Sequence, residues 1–598
     1  MSKINIFVEG IKYEVDDSQT LLEALRSCGY NVPSLCSWQH GKCSVASCRV
    51  CLVKIKGERR LVASCAYPLR DGLEVFVNDP DAVKARRTSV ELLLSNHSFN
   101  CQSCAKNGQC ELLEVSRIVG ARPDVYSGVK TPTTYDDLAP GLVRDTSKCI
   151  LCGRCIEACK DLQGLGILGF EKRGFNTFVG PAENRSFKDV PCIECGQCTL
   201  VCPTGALMEH SEIAKLDKAF QEGKIVIVQT APAVRAAIGE EFGEKIGTTS
   251  TGKMVAALHR LGFYRVFDTN FGADLTIMEE ANEFVHRVTT KAQMPMITSC
   301  SPGWVNYIEY YYPELLGHLS SCKSPHEMMG AIIKSYYAEK HNIDKTKICT
   351  VSIMPCTAKK YEKERKENMV DGVQDVDIVL TTRELAKLIR RAGISWKKLP
   401  DEEFDDDLIG EYSGAGAIFG VTGGVMEAAV RTAYHYLTGK ELEPVDYKPV
   451  RGLKGIKEAS LEINGQTYNL CVASGMKNAK VILEDIKNNK SKYDFIEIMG
   501  CPGGCINGGG QPYVKELFLP NEDDDIRETY IKKRAKVLYD LDKNKAVRRS
   551  HLNKDIQKLY HDYLEEPGSI IAHKLLHTTY NKHRAKYPES FNDGFYQK

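Results

Sequence analysis

The segment Ile348-Cys-Thr-Val-Ser-Ile353-Met-Pro-Cys356-Thr-Ala-Lys359-Lys-Tyr-Glu362 opens as an apolar run of strand length and breaks at Met-Pro-Cys. The same plan recurs on either side of it. Ile225 to Val228 leads into Ala231-Pro232, Met294 to Ile297 into Cys300, and Phe495 to Ile498 into Cys501; Val266-Phe267 is a further short run. Stretches of helical spacing separate these runs, and strands alternating with helices predict an α/β domain with largely parallel sheets. In such sheets ligands bind beyond the carboxyl ends of strands. Four strand ends are therefore expected to bring chemical groups to one place.

The composition around this pattern is ordinary, 43% hydrophobic and 26% charged, except that 24 of the 598 residues are Cys. Met1 to Glu14 alternates apolar and polar residues and has no signal-peptide core. No apolar run approaches the roughly 20 residues needed to span a bilayer. The expectation is a cytoplasmic chain without membrane attachment, in which clustered thiols bind metal rather than pair. Seventy-nine basic against 78 acidic residues give a net charge of +1, which offers no ground for a nucleic-acid partner.

Nineteen cysteines fall into groups, while Cys28, Cys43, Cys322, Cys349 and Cys471 read as small buried hydrophobes. The chain starts as a hairpin, Ile4 to Val8 and Ile11 to Val15, followed by a helix capped by Asp17 or Ser18 and carrying Leu21, Leu22 and Leu25. Behind this small α+β, ferredoxin-like start, Cys36, Cys48, Cys51 and Cys65 are spaced for a [2Fe-2S] cluster, with a four-cysteine zinc site as the rival. His97, Cys101, Cys104 and Cys110 suit a [4Fe-4S] cluster with one imidazole ligand, or a zinc knuckle. Cys149-x2-Cys152-x2-Cys155-x3-Cys159 and Cys192-x2-Cys195-x2-Cys198-x3-Cys202-Pro203 repeat the two-cluster ferredoxin run, in which each fourth Cys serves the other cluster. The expected sets are Cys149, Cys152, Cys155 with Cys202, and Cys192, Cys195, Cys198 with Cys159. Residues 81–140 read as mostly helical, and 141–210 as too punctuated for long elements. The domain boundaries expected are 1–80, 81–140, 141–210, 211–519 for the α/β domain, and a helical segment over 520–598. Two glycine-rich stretches are set aside: Gly247 to Lys253 precedes Met254 where a P-loop needs Ser or Thr, and no strand precedes Gly414 to Gly420.

Three segments resemble the signature motifs of [FeFe]-hydrogenases: Thr298-Ser-Cys300-Ser-Pro302-Gly-Trp304, Met354 to Glu362, and Glu497-Ile-Met499-Gly-Cys501-Pro-Gly-Gly-Cys505 onward to Pro512. The N-terminal modules are similar in order and spacing to the larger clostridial-type members. The resemblance implies reversible formation of H2 at an H-cluster, a [4Fe-4S] cube bridged by a cysteine to a two-iron subsite with CO, CN and azadithiolate. It implies Cys356, Cys501 and Cys505 as cube ligands, with Cys505 bridging, and Lys359 as a donor to a cyanide. It also implies Met354 and Met499 as packing around the subsite, Ala231-Pro232 as a backbone contact, and Gly508, Gly509 and Gly510 as a close approach to the cluster. Most members have adjacent cysteines in the first motif, a proton relay and then a cube ligand; this chain has Cys300-Ser301. By position Cys300 is the relay and Ser301 stands at the ligand place; by chemistry Cys300 is the ligand and Ser301 the relay. Glu280, Glu283 and Arg287 share one face of an expected helix, Thr276 to Val288, and with Ser320 match the family's proton path.

The cofactors implied are one [2Fe-2S] cluster, four [4Fe-4S] clusters including the cube, and the two-iron subsite. The partners implied are ferredoxin, maturation proteins, and the flavoprotein and small iron-sulfur subunits of multimeric NAD(P)-linked or electron-bifurcating hydrogenases. Two other classes compete. A complex I-type iron-sulfur subunit shares only the N-terminal modules, and a non-catalytic assembly protein would not need Lys359, Glu280 and Glu283 together.

Overall fold

A computed structural model describes residues 2–37, 45–514 and 526–582, so Cys43 lies outside the described residues. The chain divides into two compact units, one of residues 1–190, 197–208 and 513–529, the other of 191–196, 209–512 and 530–598.

In the first unit Lys3–Val8 pairs antiparallel with Ile11–Asp16 and parallel with Leu73–Phe76, which continues to Leu52–Ile55 and Val62–Ala63. The helix Leu21–Ser27 buries Leu21, Leu22 and Leu25 against this sheet. Its cap is Thr20 rather than Asp17 or Ser18. The Thr20 hydroxyl accepts from the Glu23 N–H while the Glu23 carboxylate accepts from the Thr20 N–H, a reciprocal pair that satisfies two otherwise orphaned donors. Residues 81–140 are less helical than their spacing suggests. Helices span Pro80–Asn96 and Glu111–Val119, but Pro123, Gly128 and Pro132 break the next stretch, and no helix forms over 121–134.

The second unit holds two four-stranded sheets among its described residues, beside the short hairpin of Met369–Val370 with Val373–Gln374. One runs Arg265–Asp268, Ile225–Thr230, Ile348–Met354, Ile378–Thr381, all parallel. The other runs Met296–Ile297, Phe495–Met499 and Gln466–Ser474 in parallel, with Ile456–Ile463 added antiparallel through an Asn464-Gly465 turn. Both turn residues have positive φ, 52° and 79°, as a two-residue hairpin needs. All seven residues of Ile348–Met354 and all five of Phe495–Met499 are buried, which is why they read as unbroken apolar runs. Met294-Pro295 adds nothing to its strand, since Pro295 has no N–H to pair. Full burial of each Val or Ile here contributes about 1.5–3 kcal/mol relative to exposure. That gain offsets the charged groups the same core encloses.

The helix Thr269–Thr290 starts at Asp268, whose carboxylate accepts from the Asn270 N–H at 3.0 Å, and it extends beyond both ends of the expected segment. No helix among the described residues is long and apolar enough to cross a membrane.

Candidate active site

The carboxyl ends of strands from both sheets line one cavity of about 740 Å³ of atom-free space. Ala231 and Pro232 follow Ile225–Thr230; Met354 ends Ile348–Met354, with Cys356 and Lys359 after it; Cys300 and Ser301 follow Met296–Ile297; Met499 ends Phe495–Met499, with Cys501 and Cys505 after it. Gly508 also lines it. None of these four cysteines is in a disulfide. Burial pushes the Cys505 thiol up to about 12 and raises those of Cys300 and Cys356. Buried thiols that resist ionisation alone become thiolates when a metal supplies the positive charge. The donor set and the volume therefore fit a polynuclear iron cluster.

Lys359 is the cation at the cavity wall. Its Nζ lies 2.6 Å from Glu362 Oε2 and donates to the Cys300 carbonyl at 3.2 Å. Burial opposes the charge on Glu362, but Lys359 and His326 outweigh it and hold that carboxylate down at about 2. His326 Nε2 lies 2.6 Å from the same Oε2. Neither Glu362 nor His326 is expected from the sequence; the i,i+3 spacing of Lys359 and Glu362 is the signal that could have found the first. Glu497, in the third motif, accepts from the Gly423 and Met426 N–H groups at 2.6 and 2.7 Å and so ties its strand to the start of the helix Gly424–Thr438.

The two residues of the broken first motif face different neighbours. The Ser301 hydroxyl accepts from the Gly500 N–H at 3.0 Å, next to Cys501. After burial, the charges that raise the Cys300 thiol are those of Glu280, Cys505 and Glu497.

Glu280 is fully buried, and neither carboxylate oxygen has a hydrogen-bond partner among the described residues. Burial pushes its carboxyl up to about 8, helped by the negative charges of Glu283 and Glu497. The Ser320 hydroxyl donates to Glu283 Oε2 at 2.9 Å, and Arg287 binds Glu283 Oε1 at 2.6 Å. Of the expected set, Ser320, Glu283 and Arg287 are hydrogen-bonded in a line, and Glu280 lies near enough to Glu283 for its charge to be felt.

In the first unit Cys36 lies in sulfur contact with Cys48 and Cys65, and Cys65 with Cys51. Cys149, Cys152, Cys155 and Cys202 line one cavity of about 420 Å³. His97 is buried, its Nδ1 has no hydrogen-bond partner among the described residues, and burial followed by the charges of Lys148 and Lys130 lowers it to about 4. A neutral imidazole with an orphaned nitrogen four residues before Cys101 suits a metal ligand. Cys104 Sγ would lie 2.6 Å from a side chain at Gly205, and Cys110 precedes Glu111–Val119. Cys159 and Cys198 belong to the first unit and Cys192 and Cys195 to the second.

Gly509 and Gly510 do not line the cavity. A Cβ at Gly509 would lie 2.3 Å from the Cys195 carbonyl oxygen and 2.5 Å from Gly196 Cα, and one at Gly510 would meet Thr381. What these glycines permit is close backbone packing, and at Gly509 it presses the third motif against the Cys192 to Gly196 loop. The Thr357 hydroxyl donates to the Glu194 carbonyl in that loop at 2.6 Å.

Residues 224–509 match the model of the iron only hydrogenase large subunit, C-terminal domain, and 528–583 that of the iron hydrogenase small subunit. Residues 1–80 match a 2Fe-2S cluster binding domain, 86–122 the NADH-ubiquinone oxidoreductase-G iron-sulfur binding region, and 148–206 a 4Fe-4S dicluster domain. The NADP-reducing hydrogenase subunit HndD of Solidesulfovibrio fructosivorans is 46% identical over 97% of this chain and 99% of its own length. Iron hydrogenase 1 of Clostridium pasteurianum is 42% identical over 96% of this chain and its entire length. Among solved structures, a variant of apo [FeFe]-hydrogenase HydA1 from Chlamydomonas reinhardtii superposes with a TM-score of 0.54 at 41% identity, covering 61% of this chain and 98% of that one. Shared along nearly its whole length with two hydrogenase chains, this sequence belongs to the iron-only, or [FeFe]-, hydrogenase family.

Proposed function

We propose that the chain interconverts H2 with two protons and two electrons in the cavity between the two sheets. One observation carries this reading: strand ends from both sheets bring Cys300, Cys356, Cys501, Cys505 and Lys359 to the same cavity, with buried Glu280 and half-buried Glu283 behind it. An H-cluster held by Cys356, Cys501 and Cys505 would supply the two-electron chemistry of hydrogen. The chain's own residues do the rest. Lys359, fixed by Glu362 at 2.6 Å, presents a charge-assisted donor to an anionic ligand. Met354 and Met499, both nearly fully buried, keep water from the volume, and Ala231, Pro232 and Gly508 wall it. Cys300, beside Glu280, is the proton relay, while Ser301, bonded to the Gly500 N–H, would complete the ligand set of the cube. Glu280 holds its proton at neutral pH and hands it on through Ser320 to Glu283, which Arg287 orients.

Electrons reach the cavity along the accessory sets: Cys36, Cys48, Cys51 and Cys65 for [2Fe-2S]; His97, Cys101, Cys104 and Cys110, and the two ferredoxin runs, for [4Fe-4S]. The packing of Gly509 and Thr357 on the Cys192 to Gly196 loop supports this as the last step. The full complement is roughly 20 irons. Ferredoxin is the soluble donor and acceptor. A flavoprotein subunit linking the chain to NAD(P) accords with the relative named an NADP-reducing hydrogenase subunit, and maturation proteins install the two-iron subsite in the cytoplasm. The test is infrared spectroscopy of the matured chain with H2 production from reduced ferredoxin. Iron-bound CO and CN bands with turnover support the enzyme; intact cubes with neither favour an assembly protein.

A further inference from the structure

We propose that His573 and His577, on the C-terminal segment, form a second proton inlet that joins the buried carboxylates at Glu283. The inference rests on the hydrogenase reading and adds a route to it. Arg287 covers the outer oxygen of Glu283, Oε1, with bonds of 2.6 and 3.0 Å, and a guanidinium does not release its proton in a protein. That end of the line is a fixed cation. The other oxygen, Oε2, accepts from the Ser320 hydroxyl, the Ser321 N–H at 3.0 Å and the Ser321 hydroxyl at 3.3 Å. Ser321 Oγ lies 2.8 Å from His577 Nδ1, and His577 Nε2 lies 3.0 Å from Glu279 Oε2. The exposed His573 ring stacks on His577 with centroids 4.5 Å apart and planes 5° off parallel. Each imidazole has two nitrogens through which a proton can pass.

The transfer balances. A proton from solvent, arriving by His573 and water, makes His577 an imidazolium that donates from Nε2 to Glu279 and from Nδ1 to Ser321. The Nδ1 proton passes to Ser321, the Ser321 hydroxyl proton passes to Glu283 Oε2, and a neutral imidazole remains with its Nε2–H on Glu279. The groups facing His577 are Glu279 and Glu283 on the helix Thr269–Thr290, with Arg287 behind the latter, Cys322 paired across the backbone, and Tyr560, which bonds Glu279. Glu283, Cys322 and His577 are also near enough to one another to hold a metal ion. Hydrogen bonds already satisfy both ring nitrogens and Glu283 Oε2, so no ion is needed to account for the arrangement. Glu279 and His577 are invisible to the motif pattern because they lie 298 positions apart. Both histidines fall in the part that matches the small-subunit model.

His577→Gln in the matured holoenzyme keeps a hydrogen-bonding side chain and removes the titratable one. The expected result is H2 turnover about tenfold lower near pH 6, below the full effect of a positioned proton carrier because the Glu283 side chain, 15% exposed, still meets solvent. Added imidazole restores it, and the CO and CN bands do not move. A second readout needs no turnover: in the chain without its two-iron subsite, the Glu283 carboxyl band in infrared difference spectra after a pH jump grows in more slowly with His577→Gln. A wild-type pH profile and wild-type band kinetics in the variant overturn the inlet. Wild-type protein with no H2 turnover overturns the hydrogenase reading, and the band kinetics still decide the inlet. Should His577→Gln not fold, Ser321→Ala cuts the same link and is read in the same way.

Discussion

Glu280→Gln separates what a buried carboxyl does for catalysis from what it does to stability. In the folded protein Glu280 titrates at about 8, against 4.5 for an unperturbed Glu, because burial and then the charges of Glu283 and Glu497 disfavour its ionised form. Between those two pH values the folded chain keeps a proton that the unfolded chain has lost. The stability from this group is complete below about pH 4.5, declines as pH rises, and is gone above about pH 8. The shift corresponds to about 4–5 kcal/mol across the window. Glutamine has nearly the same shape and no proton to lose, so the variant lacks this slope. Its buried amide adds a penalty of about 1–3 kcal/mol that does not depend on pH. Thermal unfolding of wild type and Glu280→Gln, each carrying its accessory clusters, should therefore show the variant gaining steadily on the wild type from pH 5 to pH 9, by several degrees in Tm. H2 production should fall by about a hundredfold or more, with the CO and CN bands in place. Parallel unfolding curves across that range would refute the reasoning, whatever happened to turnover, because they would mean that Glu280 is not a neutral acid in the folded protein.

Other substitutions test other links. Glu362→Gln strands the Lys359 ammonium in a buried wall and should destabilise the protein by about 3–5 kcal/mol, read as a lower unfolding midpoint. Ser301→Cys should change the electron paramagnetic resonance spectrum of the cube without changing iron content, and Cys300→Ser should leave that spectrum alone while slowing turnover; the opposite pairing would exchange their roles. Gly509→Ala places a methyl 2.3 Å from the Cys195 carbonyl oxygen, so one backbone must move; stopped-flow reduction by ferredoxin should slow, and an unaltered rate would remove this contact from the electron path.

The strand ends are legible in the sequence because buried parallel strands leave unbroken apolar runs, and Ile348–Met354 and Phe495–Met499 are buried along their whole length. Met294-Pro295 fails as a strand for the complementary reason that pairing needs an N–H. Spacing likewise groups Cys149, Cys152 and Cys155 with Cys202, which line one cavity. The segment after Val119 reads as helical only if its prolines are discounted, and the structure does not discount them. Close approaches are harder to read: the run Gly508 to Gly510 announces that backbone packs tightly there, but not that the neighbour at Gly509 is Cys195.

Charge partners are the least legible, and the adjacent pair Glu279 and Glu280 shows why. Helical period assigns residues to faces; it does not say what each face meets. Glu280 shares a face with Glu283 and Arg287 and leads from Cys300, so the motif match finds it. One residue earlier the side chain is rotated by about 100°, and Glu279 meets Tyr560, the Gly568 N–H and His577, all from the C-terminal segment. Two glutamates with the same immediate sequence context thus receive opposite surroundings, one carboxylate without a hydrogen-bond partner and the other with three. Full burial of an acid without donors favours its neutral form, as at Glu280. The neutral acid suits handing protons inward, and the bonded carboxylate suits orienting a histidine, so the division of labour between neighbours is set by the segment packed against the helix.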